Sequence, residues 1–269
     1  MASTLQPTER AAAITLERIG NLYERYADDL FRVRRYQRLL YTDRFAVRRQ
    51  RERAALLVLL GNEVALPITV DNFAAAQLDD IDCELCYLLL RDERPDTVVE
   101  ISPCGGWSST WILHALQDNR QGRLLSFDLV DHSQGKVPPD LARGIRTFHQ
   151  GDVQQSEHIP DRIDFLFMDS DHRAPFAHWY LERVMPRVRS GGVVLVDDVY
   201  HPQGPEQSGG EGPVVLDWLR RRGIEHFDAS TTHGSEARAA IERRRSLLGL
   251  CEPIIEEPQV DPAIFFTMP

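Results

Sequence analysis

The chain has 269 residues and a hydrophobic fraction of 42%, which allows one large α/β domain with a helical extension. Its formal net charge of −10 argues against a nucleic-acid partner. The sequence has no run of about 18 apolar residues and no signal-peptide pattern, so we expect no membrane partner and a cytoplasmic location. The four cysteines are typical of reduced core thiols rather than a disulfide framework.

The first 53 residues are basic, because they hold twelve arginines against seven acidic residues. This segment therefore carries about +5 and the remainder about −15, by subtraction from the total of −10. One interpretation is a basic arm that binds an anionic partner. The favoured interpretation is a helical face that docks on the acidic body of the chain or on a second subunit.

Residues 8–60 repeat apolar side chains near a 3.6-residue period, which predicts two or three long helices. We expect residues 1–70 to form a helical extension that acts as a lid or as the contact of a homo-oligomer. A further helix is predicted from Phe73 to Leu90. It carries the lone pair Cys83 and Cys86, for which we expect core packing because a metal site needs a second pair of ligands.

From Asp96 onward, strands and helices alternate, which is typical of a doubly wound, mostly parallel sheet. The predicted strands are Thr97–Ile101, Arg123–Leu129, Arg146–His149, Ile163–Met168, Val193–Val196, His226–Ser230 and Ala263–Thr267. The predicted helices are Ser108–Leu116, Pro175–Val188, Glu211–Arg222 and Glu236–Leu248. A loop is predicted at His201–Pro213. His114 and His149 are expected to have structural roles.

The stretch TVVEISPCGGWSS (97–109) reads as strand, glycine turn and helix, which is the form of a nucleotide-binding βα unit. Glu100 stands at the end of the strand, where a carboxylate would repel a pyrophosphate and suit a cationic ligand. S-adenosylmethionine is such a ligand, because it carries an ammonium group and a positively charged sulfur. Trp107 either lines the ligand cavity or packs in the core.

Ligands of parallel sheets bind beyond the carboxyl ends of the strands. The residues predicted at those ends are Glu100, Ser102, Gly105, Asp128, Asp152, Asp169, Asp197 and Asp198. Asp128 stands where an acid hydrogen-bonds a ribose, and Asp152 could orient an adenine amino group while Val153 packs on the ring. For each of these acids alone, capping of the next helix or turn is the alternative interpretation.

The predicted fourth and fifth strands are neighbours, so Asp169 should converge with Asp197 and Asp198. Three carboxylates that close repel one another unless a cation or shared protons offset their charge. Oxygen ligands suit Mg²⁺, Mn²⁺ or Ca²⁺, and such an ion would lower the pKa of a substrate hydroxyl. Asp171 or His172 would then accept the proton. The alternative is a solvated acidic rim with a histidine that acts as a base without metal.

The motifs VVEISPCGGWSS, SFDLVD, GDV, IDFLFMDSDH and GGVVLVDDVYHP occur in an order that resembles class I S-adenosylmethionine-dependent methyltransferases. The resemblance covers roughly residues 80–230 and is closest to the small-molecule O-methyltransferases, which include catechol and macrolide-sugar enzymes. It implies a Rossmann-like, seven-stranded sheet whose last strand is antiparallel. It also implies that residues 71–269 form the catalytic domain and that the enzyme methylates a hydroxyl of a small molecule.

The resemblance assigns roles to single positions of this chain. The expected cofactor contacts are Glu100, Ser102, Gly105, Gly106, Ser108, Asp128, Asp152 and Val153. Magnesium ligation is implied for Asp169, Asp197 and Asp198, and a general base for Asp171. The chain departs from the family pattern at Pro103-Cys104-Gly105-Gly106, which replaces the usual GxG, and at Asp198, where catechol enzymes often have Asn.

Two other classes of function stay open, because a fold does not determine a reaction. The same sheet could support N-methylation or an iron-dependent hydroxylation. It could also serve as a binding module without catalysis. The acids predicted beyond the fourth and fifth strands argue against that last interpretation, since cofactor binding alone does not need them.

Overall fold

A computed structural model of the chain describes residues 13–40, 79–200, 210–231, 233–254 and 263–269. Its seven strands are β1 Thr97–Ile101, β2 Arg123–Asp128, β3 Arg146–Gln150, β4 Ile163–Met168, β5 Val188–Val196, β6 His226–Asp228 and β7 Ile264–Thr267. They form one sheet in the order β3-β2-β1-β4-β5-β7-β6. The pairs among β1 to β5 are parallel, while β7 is antiparallel to both β5 and β6. The predicted sheet and its antiparallel last strand are confirmed.

Strand β5 begins five residues before the predicted Val193, because it continues through Gly191 and Gly192. The two glycines lie at an irregularity where the pairing register between β4 and β5 shifts. A Cβ atom on Gly192 would lie 2.7 Å from Val188 Cγ1. Glycine is therefore needed for close backbone approach inside a strand, as is common at bulges.

The helices flank this sheet on both sides. They are α1 Leu16–Arg25, α2 at 27–40, α3 Asp80–Glu93, α4 Trp107–Asn119, α5 Pro139–Ala142, α6 Ala174–Arg183, α7 Glu211–Arg222 and α8 Ser235–Leu247, with 3₁₀ turns at Val153–Gln155 and Met185–Arg187. None of the described helices has both the length and the apolar character needed to cross a bilayer. The helical pattern predicted at 41–60, the start of the helix predicted at Phe73, and residues 201–209 of the predicted loop lie outside the described residues.

Helix α6 ends earlier than predicted. The expected helix ran to Val188, but α6 stops at Arg183 and a 3₁₀ turn follows at Met185–Arg187. Pro186 explains the difference, since proline has no N–H to donate and disfavours a helical conformation at the residue before it. Helix α7 begins at Glu211, as predicted, so the end of the predicted loop is helical.

Two hydrophobic clusters cover the two faces of the sheet. Alternate residues of β1 divide between them, since Val98 belongs to the cluster under α3 and α4 while Val99 belongs to the cluster under α6 and α7. Trp107 packs in the first cluster, edge-on to Trp111 at a centroid distance of 6.0 Å. Each face therefore has its own core.

The cysteines only partly match the expectation of core thiols. Cys83 and Cys86 are 0% and 1% exposed in the core under α3, so their predicted packing role is confirmed. Cys104 is half-buried and Cys251 is exposed, and all four are free thiols. The expectation of four core thiols is therefore wrong for two of them.

Among the described residues, five of the six arginines of α1 and α2 pair with acids of the same chain. Arg18 lies 2.7 Å from Asp92, and Arg32 lies 2.6 Å from Asp118. The apolar side of the same helices joins the first core cluster, through Ile19, Leu22, Tyr23, Leu30 and Val33. For these arginines the structure supports docking on the acidic body of the chain, which was the favoured interpretation.

A buried group of charges links α2, α3 and α8 around Glu84, which is 0% exposed. Its carboxylate accepts a hydrogen bond from Tyr23 Oη at 2.6 Å and another from Arg34. Arg245 Nε lies 3.1 Å from the same carboxylate. Both arginines also approach Asp80, at 3.6 Å and 3.5 Å, so two buried acids neutralise them and Glu84 makes the closer contacts.

We expect His114 to make the protein less stable in acid. It is 5% exposed, and burial lowers its pKa from 6.5 to about 4. The folded state favours the neutral form of His114. The free energy of unfolding is therefore unaffected by this group above pH 6.5 and falls as the pH drops from 6.5 towards 4, because the unfolded chain binds a proton there and the folded state does not. Between pH 7 and pH 5 the loss in unfolding free energy is about 2 kcal/mol. Urea unfolding at the two pH values measures it.

Replacement of His114 with Gln should flatten that pH dependence. The same substitution at His178, which is exposed on α6, is the matched control and should leave it unchanged. An equal pH dependence in the His114 variant and the wild type would contradict the assignment.

Candidate active site

The turn between β1 and α4 forms one wall of the candidate site. Three of its residues have positive φ: Ser102 at 62°, Cys104 at 44° and Gly106 at 83°. A Cβ atom on Gly106 would lie 2.5 Å from Val137 Cγ2, a short and stiff side chain. Only glycine fits this position without displacement, so the turn is packed tightly against the segment that follows β2.

We expect Gly106→Ala to lower the unfolding free energy by more than the roughly 1–2 kcal/mol that a left-handed conformation costs an L-residue. The excess comes from the contact with Val137. Gly144→Ala is the matched control, because Gly144 has φ 75° but open space where its methyl group would lie. Urea unfolding of both variants separates the two contributions. Equal losses would show that the close packing at Gly106 contributes nothing.

Glu100 lies buried beneath this turn with 0% exposure. Its Oε1 accepts a hydrogen bond from Ser108 Oγ at 2.7 Å. Its Oε2 accepts from Ser109 Oγ at 2.8 Å and from Ser126 Oγ at 2.7 Å. Ser126 is the register partner of Glu100 on β2. Three hydroxyl groups thus hold the carboxylate, and the sequence pattern did not reveal Ser109 and Ser126.

The acids after β2 and β3 also have partners within the chain. Asp128 accepts from Leu129 N at 2.7 Å and from Cys104 N at 3.3 Å, which ties the turn after β1 to the end of β2. Burial raises the pKa of this carboxyl above its ordinary value. Asp152 accepts from Gln154 N at 2.9 Å and from the Gln155 side chain at 2.9 Å. The side chain of Asp152 therefore caps the turn that follows β3, as in the alternative interpretation of the sequence.

A cavity of about 510 Å³ opens beside Asp152. Gly151 and His149 contribute to its lining, and His149 stacks on Phe127 at a centroid distance of 4.9 Å. Its volume lies within the range of small-molecule sites, which is about 300–1,000 Å³. Val153 is buried beside Asp152 at 8% exposure. Space for a ligand thus adjoins the end of β3.

A cluster of ionisable groups lies where β4 and β5 end. His172 Nε2 is 3.2 Å from Asp198 Oδ2 and 4.0 Å from Asp169 Oδ1. One potential ligand atom from each of these three residues lies within 4.8 Å of the other two. The backbone N–H of Asp169 donates to Ile101 O at 3.2 Å, so the cluster adjoins the end of β1.

The cluster differs from the predicted trio in one member, because His172 stands in it and Asp197 does not. Asp197 is 2% exposed, and its Oδ1 is buried with no hydrogen-bond partner among the described residues. Strand β5 ends at Val196, and the backbone turns at Asp198, whose φ of 56° is left-handed. The turn directs Asp198 towards His172, while Asp197 stays buried.

Burial and mutual repulsion change the pKa values in this cluster. Burial and the charge of Asp198 raise the pKa of Asp169 to about 7. Burial by itself would lower the pKa of His172, but the hydrogen bond with Glu211 and the charge of Asp198 raise it to about 9. Groups with strongly shifted pKa values in a cleft are candidates for function.

Glu211 is part of this arrangement, although no sequence motif singles it out. His172 Nδ1 lies 2.8 Å from Glu211 Oε2, and Tyr180 Oη donates to Glu211 Oε1 at 2.8 Å. Glu211 is 2% exposed, and its backbone N–H donates to His172 O at 3.2 Å. The only signal in the sequence is an acid at the first position of α7, which is common on helix N-termini for other reasons.

Asp171 stands apart from the cluster. Its carboxylate accepts from Arg173 Nε at 2.7 Å and 2.9 Å. This hydrogen-bonded pair lowers the pKa of Asp171. A carboxylate that is ionised and held by an arginine is a weak acceptor for a further proton.

Comparisons with known proteins agree with this architecture. Residues 99–199 match a family model described as a methyltransferase domain. That range runs from β1 through the acids after β5 and so contains the glycine turn and the cluster. No curated protein matches the chain by sequence.

Several solved structures share the fold at low sequence identity. A provisionally assigned O-methyltransferase from Klebsiella pneumoniae is 16% identical with a TM-score of 0.51, over 72% of this chain and 83% of that one. A caffeoyl-CoA O-methyltransferase from Staphylococcus aureus, also provisionally assigned, is 12% identical with a TM-score of 0.51, over 81% and 99%. The methyltransferase PaMTH1 from Podospora anserina, solved with S-adenosylhomocysteine, is 11% identical with a TM-score of 0.50, over the whole of both chains.

The order of the strands and the position of the cluster define the Rossmann-like class of α/β enzymes that bind ligands at the carboxyl ends of their strands. Within that class, residues 99–199 match the model of a methyltransferase domain, and the solved methyltransferases compared above share the fold of the chain.

Proposed function

We propose that the protein transfers the methyl group of S-adenosylmethionine to a hydroxyl oxygen of a small molecule, with the help of a divalent ion held by Asp169, His172 and Asp198. The observation that carries this proposal is the convergence of these three residues beside the end of β1. The methyl donor and the acceptor would then occupy adjacent parts of one cleft, as an in-line transfer requires.

The cofactor would lie along the ends of β1, β2 and β3. S-adenosylmethionine supplies a methyl group on a positively charged sulfur. Glu100 would favour the positive methionyl end by its buried charge, and Ser108 stands between that charge and the turn. The proposed contacts are Glu100, Ser102, Gly105, Gly106, Ser108, Asp128, Asp152 and Val153. Because Gly105 and Gly106 carry no side chain, a ligand can approach the backbone of this turn closely.

The residues of the cluster fit a divalent ion. They offer two carboxylate groups and one imidazole nitrogen. Burial and the charges of Asp198 and Asp169 raise the pKa of the neighbouring Asp197 well above its ordinary value. Like charges this close cost free energy unless a cation offsets them. A bound divalent ion would lower the pKa of an acceptor hydroxyl. The residues of the cluster would hold the acceptor in place and limit the access of water.

A second candidate is methyl transfer without metal, with His172 as the general base in its deprotonated form, which is the minor form at neutral pH because its pKa is about 9. It is favoured by the contact between His172 Nδ1 and Glu211, because a carboxylate at Nδ1 directs Nε2 towards the site. Of the two bases considered from the sequence, the structure supports His172 over Asp171, whose carboxylate binds Arg173.

Two experiments test the proposal. Calorimetric titration should detect binding of S-adenosylmethionine but not of NAD, and no binding of S-adenosylmethionine would overturn the cofactor assignment. A screen with radiolabelled S-adenosylmethionine against catechols, sugars and amines should show transfer to hydroxyl compounds. Transfer to amines alone would contradict O-methylation. Full activity in EDTA would favour His172 as a metal-free base.

The oligomeric role proposed for residues 1–70 is tested on the full chain. Deletion of the segment is unsuitable because Ile19, Tyr23 and Leu30 are 0% exposed in the core. Light scattering should report a homo-oligomer, and a monomer at all concentrations would leave the lid as the remaining role.

A further inference from the structure

We infer that this site selects ions such as Co²⁺, Fe²⁺ and Zn²⁺ over Mg²⁺, because the imidazole of His172 supplies one of its three protein ligands. The inference rests on the proposed divalent site and specifies which ions it takes. Carboxylate and water ligands suit Mg²⁺, Ca²⁺ and Mn²⁺, whereas an imidazole nitrogen adds preference for ions such as Co²⁺, Fe²⁺ and Zn²⁺. The ligand set therefore differs in kind from the three carboxylates that the sequence predicts.

The geometry places the ring nitrogen of His172 towards the two acids. Nε2 lies 3.2 Å from Asp198 Oδ2 and 4.0 Å from Asp169 Oδ1, while Nδ1 faces away towards Glu211. The distances between the two acids and Nε2 leave all three atoms within reach of one ion. His172 is thus a member of the site by position and not only by sequence proximity.

Glu211 acts as a positioning residue for this ligand. Its carboxylate lies 2.8 Å from Nδ1, which orients the ring so that Nε2 is the nitrogen that faces the site. Tyr180 in turn donates to Glu211 at 2.8 Å and is 0% exposed, so the carboxylate cannot turn away. Metal-binding histidines commonly donate their other ring N–H to a carboxylate in this manner.

Buried Asp197 is a second observation that points to a cation. Its carboxylate is 2% exposed and has an oxygen without a hydrogen-bond partner among the described residues. Its strongest charged neighbours are Asp198 and Asp169, both members of the cluster. Positive charge in the adjoining site would stabilise the ionised form of this carboxyl group.

The test measures ion binding directly on the full chain, without substrate. Calorimetric titrations with Co²⁺ and with Mg²⁺ should show tighter binding of Co²⁺ to the wild type. His172→Gln should weaken Co²⁺ binding at least about 10–100-fold, the range known for loss of an orienting partner, and should change Mg²⁺ binding much less. Glu211→Gln should weaken Co²⁺ binding within that same range. His178→Gln is the matched control and should bind as the wild type does.

A spectroscopic measurement identifies the ligand atom. Pulsed electron paramagnetic resonance of the Mn²⁺-loaded protein should detect coupling to an imidazole nitrogen, which His172→Gln removes and His178→Gln retains. Equal affinities for Co²⁺ and Mg²⁺, or absence of nitrogen coupling with Mn²⁺ bound, would overturn the inference while leaving the proposed divalent site intact. Failure of all three ions to bind would overturn both.

Discussion

Replacement of Asp169 with Asn is expected to lower kcat for methyl transfer about 10²–10⁴-fold. Asp169 is the member of the cluster that is bonded through its backbone to the end of β1, so it lies nearest to the proposed methyl donor. Its carboxylate would either hold the ion or, without metal, stabilise the positive charge that His172 gains when it accepts a proton. The Asn side chain keeps the size of Asp but cannot carry the charge. Initial rates with an acceptor from the transfer screen measure the loss.

Asp171→Asn is the matched control, since the same change is made two residues away on a carboxylate that binds Arg173. It should keep activity close to that of the wild type. A loss as large as that of Asp169→Asn would contradict the proposed site and support Asp171 as the base.

A stability measurement excludes unfolding as the cause of the loss. The pKa of Asp169 is raised to about 7. Above that pH its ionised carboxylate is therefore less favourable in the folded state than in the unfolded state. The Asn variant has no such charge. Its unfolding temperature at pH 8 should therefore equal or exceed that of the wild type, and a clear decrease would show that the substitution damages the fold.

Glu84→Ala is expected to lower the free energy of unfolding by about 3–5 kcal/mol, the range for removal of one partner from a buried ion pair. Glu84 is 0% exposed, and the side chains of Arg34 and Arg245 are only 6% and 10% exposed. Loss of the carboxylate leaves two buried arginines with incomplete neutralisation and removes the acceptor of Tyr23. Urea unfolding measures the effect.

Asp217→Ala is the control for Glu84, because Asp217 also serves two arginines. Those partners, Arg220 and Arg221, are 79% and 72% exposed on α7. The loss there should stay below about 1 kcal/mol. Similar losses at both positions would show that the buried charges around Glu84 do not stabilise the packing of α1 and α2 against the rest of the domain.

Local pattern predicted much of the fold. The β-branched run at Thr97–Ile101 and the apolar run at Ile163–Met168 have the observed strand bounds, since buried strands require such residues whatever surrounds them. The alternation of strands and helices also predicted a mostly parallel sheet in which β4 and β5 are neighbours. The strand-end rule then placed Asp169 and Asp198 at one edge, as observed.

Local pattern failed where a contact joins distant segments or where neighbours in sequence diverge. It did not show which of Asp197 and Asp198 faces the cluster, because that depends on how the backbone turns after β5, where Asp198 has a φ of 56°. It also missed the role of Ser126, whose hydroxyl binds Glu100 from the adjacent strand.

The sequence by itself determined the doubly wound sheet, the glycine turn and the acids at the strand ends, because each follows from the chemistry of neighbouring residues. Only the tertiary structure decided that His172 joins Asp169 and Asp198, and that Glu211 holds it from 39 positions further along the chain. The packing of α6 against α7 brings those residues together. The packing of two helices depends on contacts between segments that are distant in sequence, so no local pattern of residues predicts it.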